Sequence, residues 1–364
     1  MRILHIINSL EIGGAEKLLV DILPLLKKKE EFTVEVLLLL DSDTFFKQTL
    51  EQSGVRIHCI NAGSVYDLKN IFMIIPFLKN YNICHVHLFP ALYWTAIAKL
   101  ISFSNVKLIF TEHSTDNRRW KNKMFRMVDK FIYKRYSAVT FITKQVKTAF
   151  NNNVGSVSSR LPIIQNGINL QRYNQAKAYN KSEIDKRFTP EDVLVIQISA
   201  FRKEKDQDTL IRASTQLPKN YRILLVGEGE RKSFCEKLAQ ELNVSERVLF
   251  LGNRSDVPNL LKTCDIAIQS SHWEGFGLAA VESMASGLPV LASNVPGLAD
   301  VIGNSTLLFN QGNEDELAEK ILEITSTDIA YKNAQNYCIN RANLYDIKSS
   351  VEKLTKLYYD IQKI

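Results

Sequence analysis

The feature that most constrains this sequence is a regular alternation of short, almost uninterrupted apolar runs with longer segments of helical periodicity. Runs such as VEVLLLL at 34–40 and VLVIQIS at 193–199 are apolar at nearly every position. Parallel strands that are covered by helices on both faces have this composition, whereas half-exposed strands alternate apolar and polar residues. The alternation therefore predicts an α/β fold with doubly wound parallel sheets.

The length and one interruption of the pattern predict two domains. At 364 residues the chain is too long for one ordinary core. The alternation breaks at an Asn-Gly pair, a polar stretch follows at 176–191, and a second series of strands then begins. We expect a first domain over 1–166 and a second over 167–345. The last segment, 346–364, has helical periodicity and could cross back to the first domain.

Composition excludes several classes of protein. No segment has the roughly twenty consecutive apolar residues that a membrane-spanning helix needs, and the N-terminal segment has the pattern of a first strand rather than a signal peptide. The five cysteines form no CxxC pair, so neither a disulfide framework nor a zinc ribbon is indicated. We therefore expect a cytoplasmic protein. Peripheral association with the inner face of the membrane is compatible with that expectation.

The stretch EGFGLAAVES at 274–283 has two acids eight positions apart, Glu274 and Glu282, around a glycine-rich helix start. The first N–H groups of a helix lack intrahelical partners and lie at the positive end of its dipole, so they attract anions. The two acids would then hold the ends of an elongated ligand whose phosphates face the amides. The alternative is that Glu274 caps the helix and Glu282 is a solvated surface residue.

The longer run SSHWEGFGLAAVESMASGLPVLASNVPGLADVI, residues 270–302, resembles the signature of the retaining GT-B glycosyltransferases known as family 4. That signature is an acid, seven residues and a second acid, followed by G-x-P-V and a Pro-Gly turn. The resemblance implies a GT-B fold, in which two Rossmann-like doubly wound domains face one another across a cleft. It also implies a nucleoside-diphosphate-sugar donor held mainly by the second domain, with neither a cofactor nor a metal.

The resemblance assigns the catalytic positions. His113, in IFTEHST, would reach the donor sugar near its reacting carbon, and Glu274 would hold the sugar hydroxyls. Arg202 and Lys205, in ISAFRKEKDQD, would neutralise the diphosphate as it leaves. This loop departs from the usual family form because Ala200 stands where an arginine is common, so Lys203 is an alternative to Arg202.

Further positions are expected to bind the donor. The residues are Gly13 and Gly14 beside the diphosphate, Gly227, Asn253 and Arg254 beside the base, the amides of Gly275, Phe276, Gly277 and Leu278 on phosphate and sugar, and Glu282 on the ribose. For the first glycine pair, the alternative is a strand-to-helix turn without a ligand. Glu16 would orient the start of the helix that follows it.

Two patterns could suggest a metal site, and neither is favoured. Asp41 and Asp43 form a DxD after a strand, but the same residues are typical of a helix start. His85 and His87 lie on one face of a strand and could join His113 around an ion. Packing at the strand end and contacts to the acceptor are the preferred interpretation of these histidines.

The net charge is +7, and the basic excess lies in the first half, with its maximum at 118–136. At helical spacing Met124, Val128 and Phe131 form an apolar stripe beside cations, which suits a helix on an anionic membrane surface. A helix docked on the sheet with a solvated basic face explains the pattern equally well. No nucleic-acid-binding module accompanies the cations, so a nucleic-acid partner is not expected.

These expectations combine into one function. The chain would be a metal-independent, retaining hexosyltransferase that moves a sugar from a nucleoside diphosphate onto a hydroxyl of a lipid-linked or growing surface glycan. UDP is favoured over GDP by its frequency in the family. The alternatives are a nucleotide-sugar epimerase of the same architecture and a nucleotide-sugar-binding protein without catalysis.

Overall fold

A computed structural model describes residues 1–11, 13–157 and 159–363. The chain forms two compact units, one made of residues 1–167 with the C-terminal segment from Ile347, and the other of Ile168–Asp346. The division falls at the Asn-Gly pair where the apolar alternation is interrupted.

The first unit is built on a six-stranded sheet. Its strands are β1 (Arg2–Ile7), β2 (Thr33–Leu38), β3 (Arg56–Cys59), β4 (Ile83–His87), β5 (Lys107–Glu112) and β6 (Ala138–Phe141). They lie in the order β3-β2-β1-β4-β5-β6, and every neighbouring pair is parallel. The chain reverses its winding direction between β1 and β4, which is the switch point where ligands bind in open α/β sheets.

Helices connect these strands. They are α1 (Gly14–Lys27), α2 (Phe45–Gln52), α3 (Lys69–Leu78), α4 (Ala91–Ser102), α5 (Lys123–Tyr133) and α6 (Lys144–Asn153). Local signals set several of their starts. The Thr44 hydroxyl accepts a hydrogen bond from the Lys47 amide at 3.3 Å, and the Thr143 hydroxyl accepts one from the Val146 amide at 3.1 Å.

The second unit repeats this arrangement. Its strands are β7 (Val193–Ile198), β8 (Tyr221–Val226), β9 (Val248–Gly252), β10 (Ile266–Gln269), β11 (Val290–Ser293) and β12 (Leu308–Phe309). Their order is β12-β11-β10-β7-β8-β9, all parallel, so the switch point lies between β7 and β10. Both sheets confirm the prediction of two doubly wound α/β domains.

The helices of the second unit cover its sheet. They are α7 (Leu170–Asn174), α8 (Lys181–Ile184), α9 (Gln207–Ala213), α10 (Lys232–Glu241), α11 (Val257–Thr263), α12 (Leu278–Ala285), α13 (Leu298–Ile302), α14 (Glu314–Thr325) and α15 (Asp328–Ala342). α8 falls in the polar stretch 176–191, for which the sequence predicts no strand.

The last helix, α16 (Ile347–Gln362), returns to the first unit and packs beside α1. Its apolar face, which includes Val351, Leu354 and Tyr358, belongs to the hydrophobic core of that unit. The Ser350 hydroxyl also donates a hydrogen bond to the carbonyl of Gln165 at 2.7 Å. Among the described residues, no helix has the length and apolar character needed to cross a membrane.

Candidate active site

The two most informative loops of the second unit leave neighbouring strands. β7 is followed by the basic loop at 199–206, and β10 is followed by the loop at 270–277 that contains Glu274. Because these strands are adjacent and parallel, both loops start at the same edge of the sheet, on either side of its switch point.

The basic loop turns Lys205 towards the second loop. Lys203–Lys205 form a single 3₁₀ turn, and Asp206 ends the turn in the left-handed region, with φ of 47°. The Lys205 ammonium forms an ion pair with the Glu274 carboxylate, and the two side chains are 23% and 18% exposed. Arg202 lies at the start of the same turn and is exposed. The structure therefore brings together Lys205 and Glu274, which are far apart in sequence.

The Glu274 loop ends in a helix start that no side chain caps among the described residues. Gly277 is the N-cap of α12, in the left-handed region with φ of 90°. A Cβ on Gly277 would lie 3.5 Å from Cγ of Glu274, so the acid and the helix start are close together. One cation, one carboxylate and the positive end of a helix thus share a small volume, which is an arrangement suited to a phosphate-containing ligand.

The Pro-Gly turn at 296–297 packs directly on this loop. A Cβ on Gly297 would overlap the carbonyl oxygen of Glu274, and one on Gly277 would overlap the side chain of Leu298. Gly297 also has a φ of 93°. Both glycines are therefore required for the two loops to touch.

The structure contradicts the interpretation in which Glu274 is a cap and Glu282 a surface residue. The cap position belongs to Gly277, and Glu282 is 3% exposed within α12. Phe276 is buried and packs edge-to-face on Tyr345 with ring centroids 5.4 Å apart. Residues 274–278 are therefore anchored on both sides, which suits a rigid site.

The loop after β8 is joined to the basic loop by backbone hydrogen bonds. The Phe201 amide donates to the Glu228 carbonyl, and the Arg231 amide donates to the Phe201 carbonyl, both at 3.0 Å. A Cβ on Gly227 would overlap the carbonyl oxygen of Ser199. Close packing between these two loops therefore explains why position 227 is a glycine, without any contact to a nucleotide base.

Asn253 and Arg254 follow β9 and are exposed. The Arg254 guanidinium forms hydrogen bonds with the Asp256 carboxylate, at 2.8 Å through Nε and at 2.6 Å through Nη2. This pairing lowers the pKa of the Asp256 carboxyl to about 2. Arg254 is therefore held beside the start of α11.

In the first unit, Gly13 is the N-cap of α1 and Gly14 is its first residue. A Cβ on Gly13 would overlap a carboxylate oxygen of Glu16. The glycine thus leaves room for Glu16 at the helix start, where that acid was expected. Asn8, which the sequence did not single out, donates to the Phe89 carbonyl at 2.8 Å and ties the loop after β1 to the loop after β4.

His113 follows β5 and contacts the histidine at the end of β4. Its Nε2 lies 3.4 Å from Nδ1 of His87, whose Nε2 lies 3.1 Å from Nδ1 of His5 in β1. Burial lowers the pKa of His113 to about 4 and that of His5 to about 3, and it lowers the pKa of His85 and His87 as well. All four imidazoles are therefore neutral near pH 7.

A cavity of about 370 Å³ opens beside His113 in the first unit. Its lining includes Tyr66, Phe89, Glu112 and Arg118. Burial raises the pKa of the Glu112 carboxyl, which accepts a hydrogen bond from the Tyr133 hydroxyl at 2.7 Å. Aromatic faces, a cation and polar groups around one concave surface are typical of a binding pocket.

One wall of the cavity is Arg119. Its guanidinium stacks on the Phe89 ring at 4.3 Å and pairs with the buried Asp129 at 3.2 Å. Asp129 also accepts a hydrogen bond from the Tyr93 hydroxyl. The sequence pattern at 118–136 does not distinguish Arg119 from the neighbouring cations, because it does not predict that Asp129 is buried beside it.

The two patterns considered for metals have protein partners. Asp41 pairs with Lys47 at 2.6 Å, and Asp43 accepts a hydrogen bond from Gln48 at 3.0 Å, beside the start of α2. Among the histidines, the close group is His5, His85 and His87, whose candidate ligand atoms lie within 4.8 Å of one another in the described part of the chain. His113 contacts only the His87 side of this group. The sequence missed His5, although the pairing of β1 with β4 places it opposite His85.

The stripe of apolar residues on α5 is not docked on the sheet. Met124, Val128 and Phe131 are 62%, 38% and 50% exposed, and Met127 is 75% exposed. The buried face of the helix consists of Asp129, Ile132 and Tyr133. The structure therefore contradicts the interpretation of residues 118–136 as a docked helix with only its basic face in solvent.

Comparison with known proteins agrees with this architecture. The solved structure of Anabaena HepE in complex with UDP and glucose superposes with a TM-score of 0.86, at 24% identity over 99% of this chain and 100% of that chain. Two sheets of this strand order, each with its switch-point loops, define the GT-B class of fold.

Sequence comparison narrows the class to a family. The family described as Glycosyltransferase Family 4 matches residues 12–172, and the one described as Glycosyl transferases group 1 matches residues 180–343. Between them they span nearly the whole chain. The chain belongs to this family of glycosyltransferases.

Two curated relatives have named activities. The UDP-Gal:α-D-GlcNAc-diphosphoundecaprenol α-1,3-galactosyltransferase of Escherichia coli is 25% identical, with 83% of this chain and 82% of that protein covered. The N-acetylgalactosamine-N,N'-diacetylbacillosaminyl-diphospho-undecaprenol 4-α-N-acetylgalactosaminyltransferase of Campylobacter jejuni is also 25% identical, with 93% and 94% covered. Both names describe transfer to a sugar on a lipid diphosphate.

Proposed function

We propose that this glycosyltransferase is a retaining, metal-independent hexosyltransferase that uses a UDP-sugar and acts on a hydroxyl of a lipid-linked glycan at the inner face of the membrane. The observation that carries the donor part is the pairing of Lys205 with Glu274 beside the uncapped start of α12. The names of the two curated relatives support the acceptor part.

The second unit holds the donor in this proposal. Arg202, Lys205 and the amides of 275–278 balance the charge of the diphosphate, which is the role that a metal ion has in other glycosyltransferases. Glu282 binds the ribose hydroxyls. When the diphosphate binds Lys205, it releases Glu274 from the ion pair, and the acid then accepts hydrogen bonds from the sugar hydroxyls.

Transfer proceeds on one face of the sugar. The bond between the anomeric carbon and the diphosphate oxygen breaks, the acceptor oxygen bonds to the same carbon from the same face, and the acceptor's proton passes to the leaving phosphate. His113 lies at the sugar near this carbon. The acceptor occupies the cavity of the first unit, where Tyr66 and Phe89 offer flat apolar faces to a sugar ring.

The experiment is a transfer assay with a panel of UDP- and GDP-sugars, a lipid-diphosphate sugar acceptor and a metal chelator. We expect one UDP-sugar to give a product whose new linkage has the anomeric configuration of the donor. An inverted linkage contradicts retention, and loss of activity in chelator contradicts metal independence. Conversion of the donor without acceptor indicates an epimerase, and binding of donor without reaction indicates a protein that has lost catalysis.

A further inference from the structure

A chain of side-chain hydrogen bonds runs through the first sheet and ends at His113. Its links are His113 Nε2 to His87 Nδ1 at 3.4 Å, His87 Nε2 to His5 Nδ1 at 3.1 Å, His5 Nε2 to the Tyr358 hydroxyl at 3.3 Å, that hydroxyl to His85 Nδ1 at 2.7 Å, His85 Nε2 to Thr111 Oγ1 at 2.7 Å, and Thr111 Oγ1 to Thr140 Oγ1 at 2.7 Å. The interior members are all buried.

This chain accounts for the histidine cluster without a metal ion. Each of the six ring nitrogens of His5, His85 and His87 meets a protein group in one of the links above. The rings of His85 and His87 are also stacked, with centroids 4.5 Å apart and planes 27° apart. Lone pairs of stacked imidazoles lie in separate ring planes and do not converge on one ion, so hydrogen bonding is the better explanation of the cluster.

The chemistry of imidazole makes the chain directional. A neutral ring has one N–H donor and one lone-pair acceptor, and a tyrosine hydroxyl between two ring nitrogens donates to one and accepts from the other. Each imidazole that receives a hydrogen bond on one side must therefore donate on its other side, as must Tyr358 between its two rings. From His113 to Thr111 only two arrangements satisfy every link, and they run in opposite directions. Thr111 has one O–H, so if it donates to Thr140 it can only accept from His85.

The far end of the chain selects one of the two directions. The Thr140 hydroxyl lies 3.4 Å from the backbone carbonyl of Phe110 in donor geometry. Because a carbonyl can only accept, Thr140 donates to it and accepts from Thr111. When the hydrogen bonds are traced from Thr140 back to His113, the ring proton lies on Nε2 of His85, then of His5 and His87, and finally of His113. Nδ1 of His113 keeps its lone pair.

We propose that this chain holds His113 in the Nε2–H tautomer, so that its Nδ1 accepts a hydrogen bond from a sugar hydroxyl of the substrate. His113 lines the cavity of the first unit, and its Nδ1 takes no part in the series of hydrogen bonds described above. Tyr358 on α16 is a positioning residue, since it joins the two halves of the chain without touching His113. The substrate part rests on the proposed function, whereas the tautomer does not.

The tautomer is tested by nitrogen-15 NMR of the full chain labelled at histidine, which is practical because the protein has six histidines. We expect a protonated Nε2 and an unprotonated Nδ1 at His113 near pH 7. In Tyr358→Phe, Nε2–H of His5 loses the hydroxyl that accepts its hydrogen bond. The hydrogen bonds from His5 to His113 can then reverse their direction, so Nδ1 of His113 should become partly protonated. The control is Tyr359→Phe on the same helix, where the hydroxyl bonds Glu31 at the surface.

A kinetic measurement then tests the substrate part. Tyr358→Phe should lower kcat/KM for transfer by about two- to tenfold, the usual effect of one hydrogen bond, while Tyr359→Phe leaves it unchanged. If Tyr358→Phe does not fold, Thr140→Val tests the same chain from its far end. Absence of transfer by the wild type counts against the proposed function alone, because the tautomer is read without substrate.

Three results would overturn the inference. A protonated Nδ1 at His113 in the wild type reverses the direction of the chain. Identical His113 tautomers in the wild type and a folded Tyr358→Phe variant show that Tyr358 has no positioning role. Coordination of added Zn²⁺ by His5, His85 and His87, seen as shifts of all three rings, makes their nitrogens metal ligands instead.

Discussion

At the scale of single residues, the ion pair between Lys205 and Glu274 keeps the site ready for a ligand. Each side chain is mostly buried, and a buried charge without a partner is unfavourable. In the proposed function, the pair satisfies both charges until a diphosphate supplies new partners for Lys205. A site of this kind exchanges one set of charge-assisted hydrogen bonds for another when the donor binds.

Single-residue replacement tests this role. Lys205→Ala and Glu282→Ala should each slow transfer by at least tenfold, or ~1.4 kcal/mol of barrier, because the proposed function gives each side chain a contact to the donor. Lys219→Ala, an exposed cation in the segment before β8, is the control and should change the rate less than twofold. Full activity in a folded Lys205→Ala variant would exclude the assignment.

The buried histidines predict how stability depends on pH. Their pKa values in the folded state, about 3 for His5 and about 4 for His113, lie below the ordinary value of 6.5. Below pH 6.5 the unfolded chain binds protons that the folded chain does not, so the stabilisation present above pH 6.5 is lost as the pH falls towards 4. Each such histidine contributes a slope of up to ~1.4 kcal/mol per pH unit.

Urea unfolding at pH 7 and pH 5 measures this dependence. The free energy of unfolding should be lower at pH 5, although the raised pKa values of Glu112 and Asp206 act in the opposite direction and offset part of the loss. His87→Gln removes one of the groups and should reduce the difference. An unchanged difference between the two pH values in a folded His87→Gln variant would contradict the burial of His87 as a neutral ring.

The sequence located some residues of the site and missed others for a physical reason. Lys205 and Glu274 lie in loops with strong local signals, and the adjacent strands β7 and β10 bring those loops to one edge of the sheet. His5 and Tyr358 carry no local signal, since each looks like an ordinary member of a strand or a helix. Their roles arise only when β1, β4 and α16 pack together.

At the scale of elements, the contact between the loop at 274–277 and the turn at 296–297 controls the shape of the site. It depends on two glycines in the left-handed region, Gly277 and Gly297. The sequence showed both motifs as parts of one signature, but not that they touch. Their contact explains why the signature extends so far beyond the two acids.

Gly297→Ala tests this contact. Its Cβ would overlap the Glu274 carbonyl oxygen, so the loop must move, and donor affinity should fall by at least tenfold in calorimetric titration with UDP. Gly312→Ala is the matched control, because Gly312 also has a positive φ but no atom within 4 Å of the added Cβ. The control should cost ~1–2 kcal/mol of stability and leave UDP binding unchanged. Equal UDP affinities for the two variants would contradict the account.

The strands were easier to predict than the helix faces. Near-continuous apolar runs identify buried parallel strands directly. Helical periodicity identified α5, but it did not show which face meets the sheet. The buried face carries Asp129, which a count of apolar residues places in solvent, whereas the apolar stripe is exposed.

At the scale of the whole molecule, the basic first half and the exposed apolar stripe of α5 lie in the same unit. We predict that the protein binds vesicles containing anionic phospholipid and not vesicles of neutral phospholipid alone, because cations and apolar side chains act together at such a surface. Replacing Met124 and Met127 by serine should weaken binding at least tenfold, or ~1.4 kcal/mol.

A matched control for vesicle binding comes from the second unit. Ile329 is 74% exposed on α15, away from any basic stretch, and Ile329→Ser should leave vesicle binding unchanged. Sedimentation with vesicles measures all three proteins. Equal binding of the wild type and the double methionine variant would contradict a membrane role for α5.

The break in the alternation lies at the Asn-Gly pair, beside Gly167, where the first stretch of the first unit ends. The cavity beside His113 was not predictable. Its walls come from loops after β4 and β5 and from residues after β3, whose approach depends on the packing of the whole unit. The residue pattern of one segment does not predict a surface that several segments form together.

Thermal stabilisation of the protein by UDP in the presence of a metal chelator tests most directly whether Lys205 and the start of α12 bind a diphosphate. A ligand that binds only the folded state raises the melting temperature by an amount that grows with its affinity. We expect a clear rise for the wild type and for Lys219→Ala, and little or none for Lys205→Ala. No rise with the wild type, or an equal rise with Lys205→Ala, would contradict a diphosphate site built on Lys205 and the start of α12.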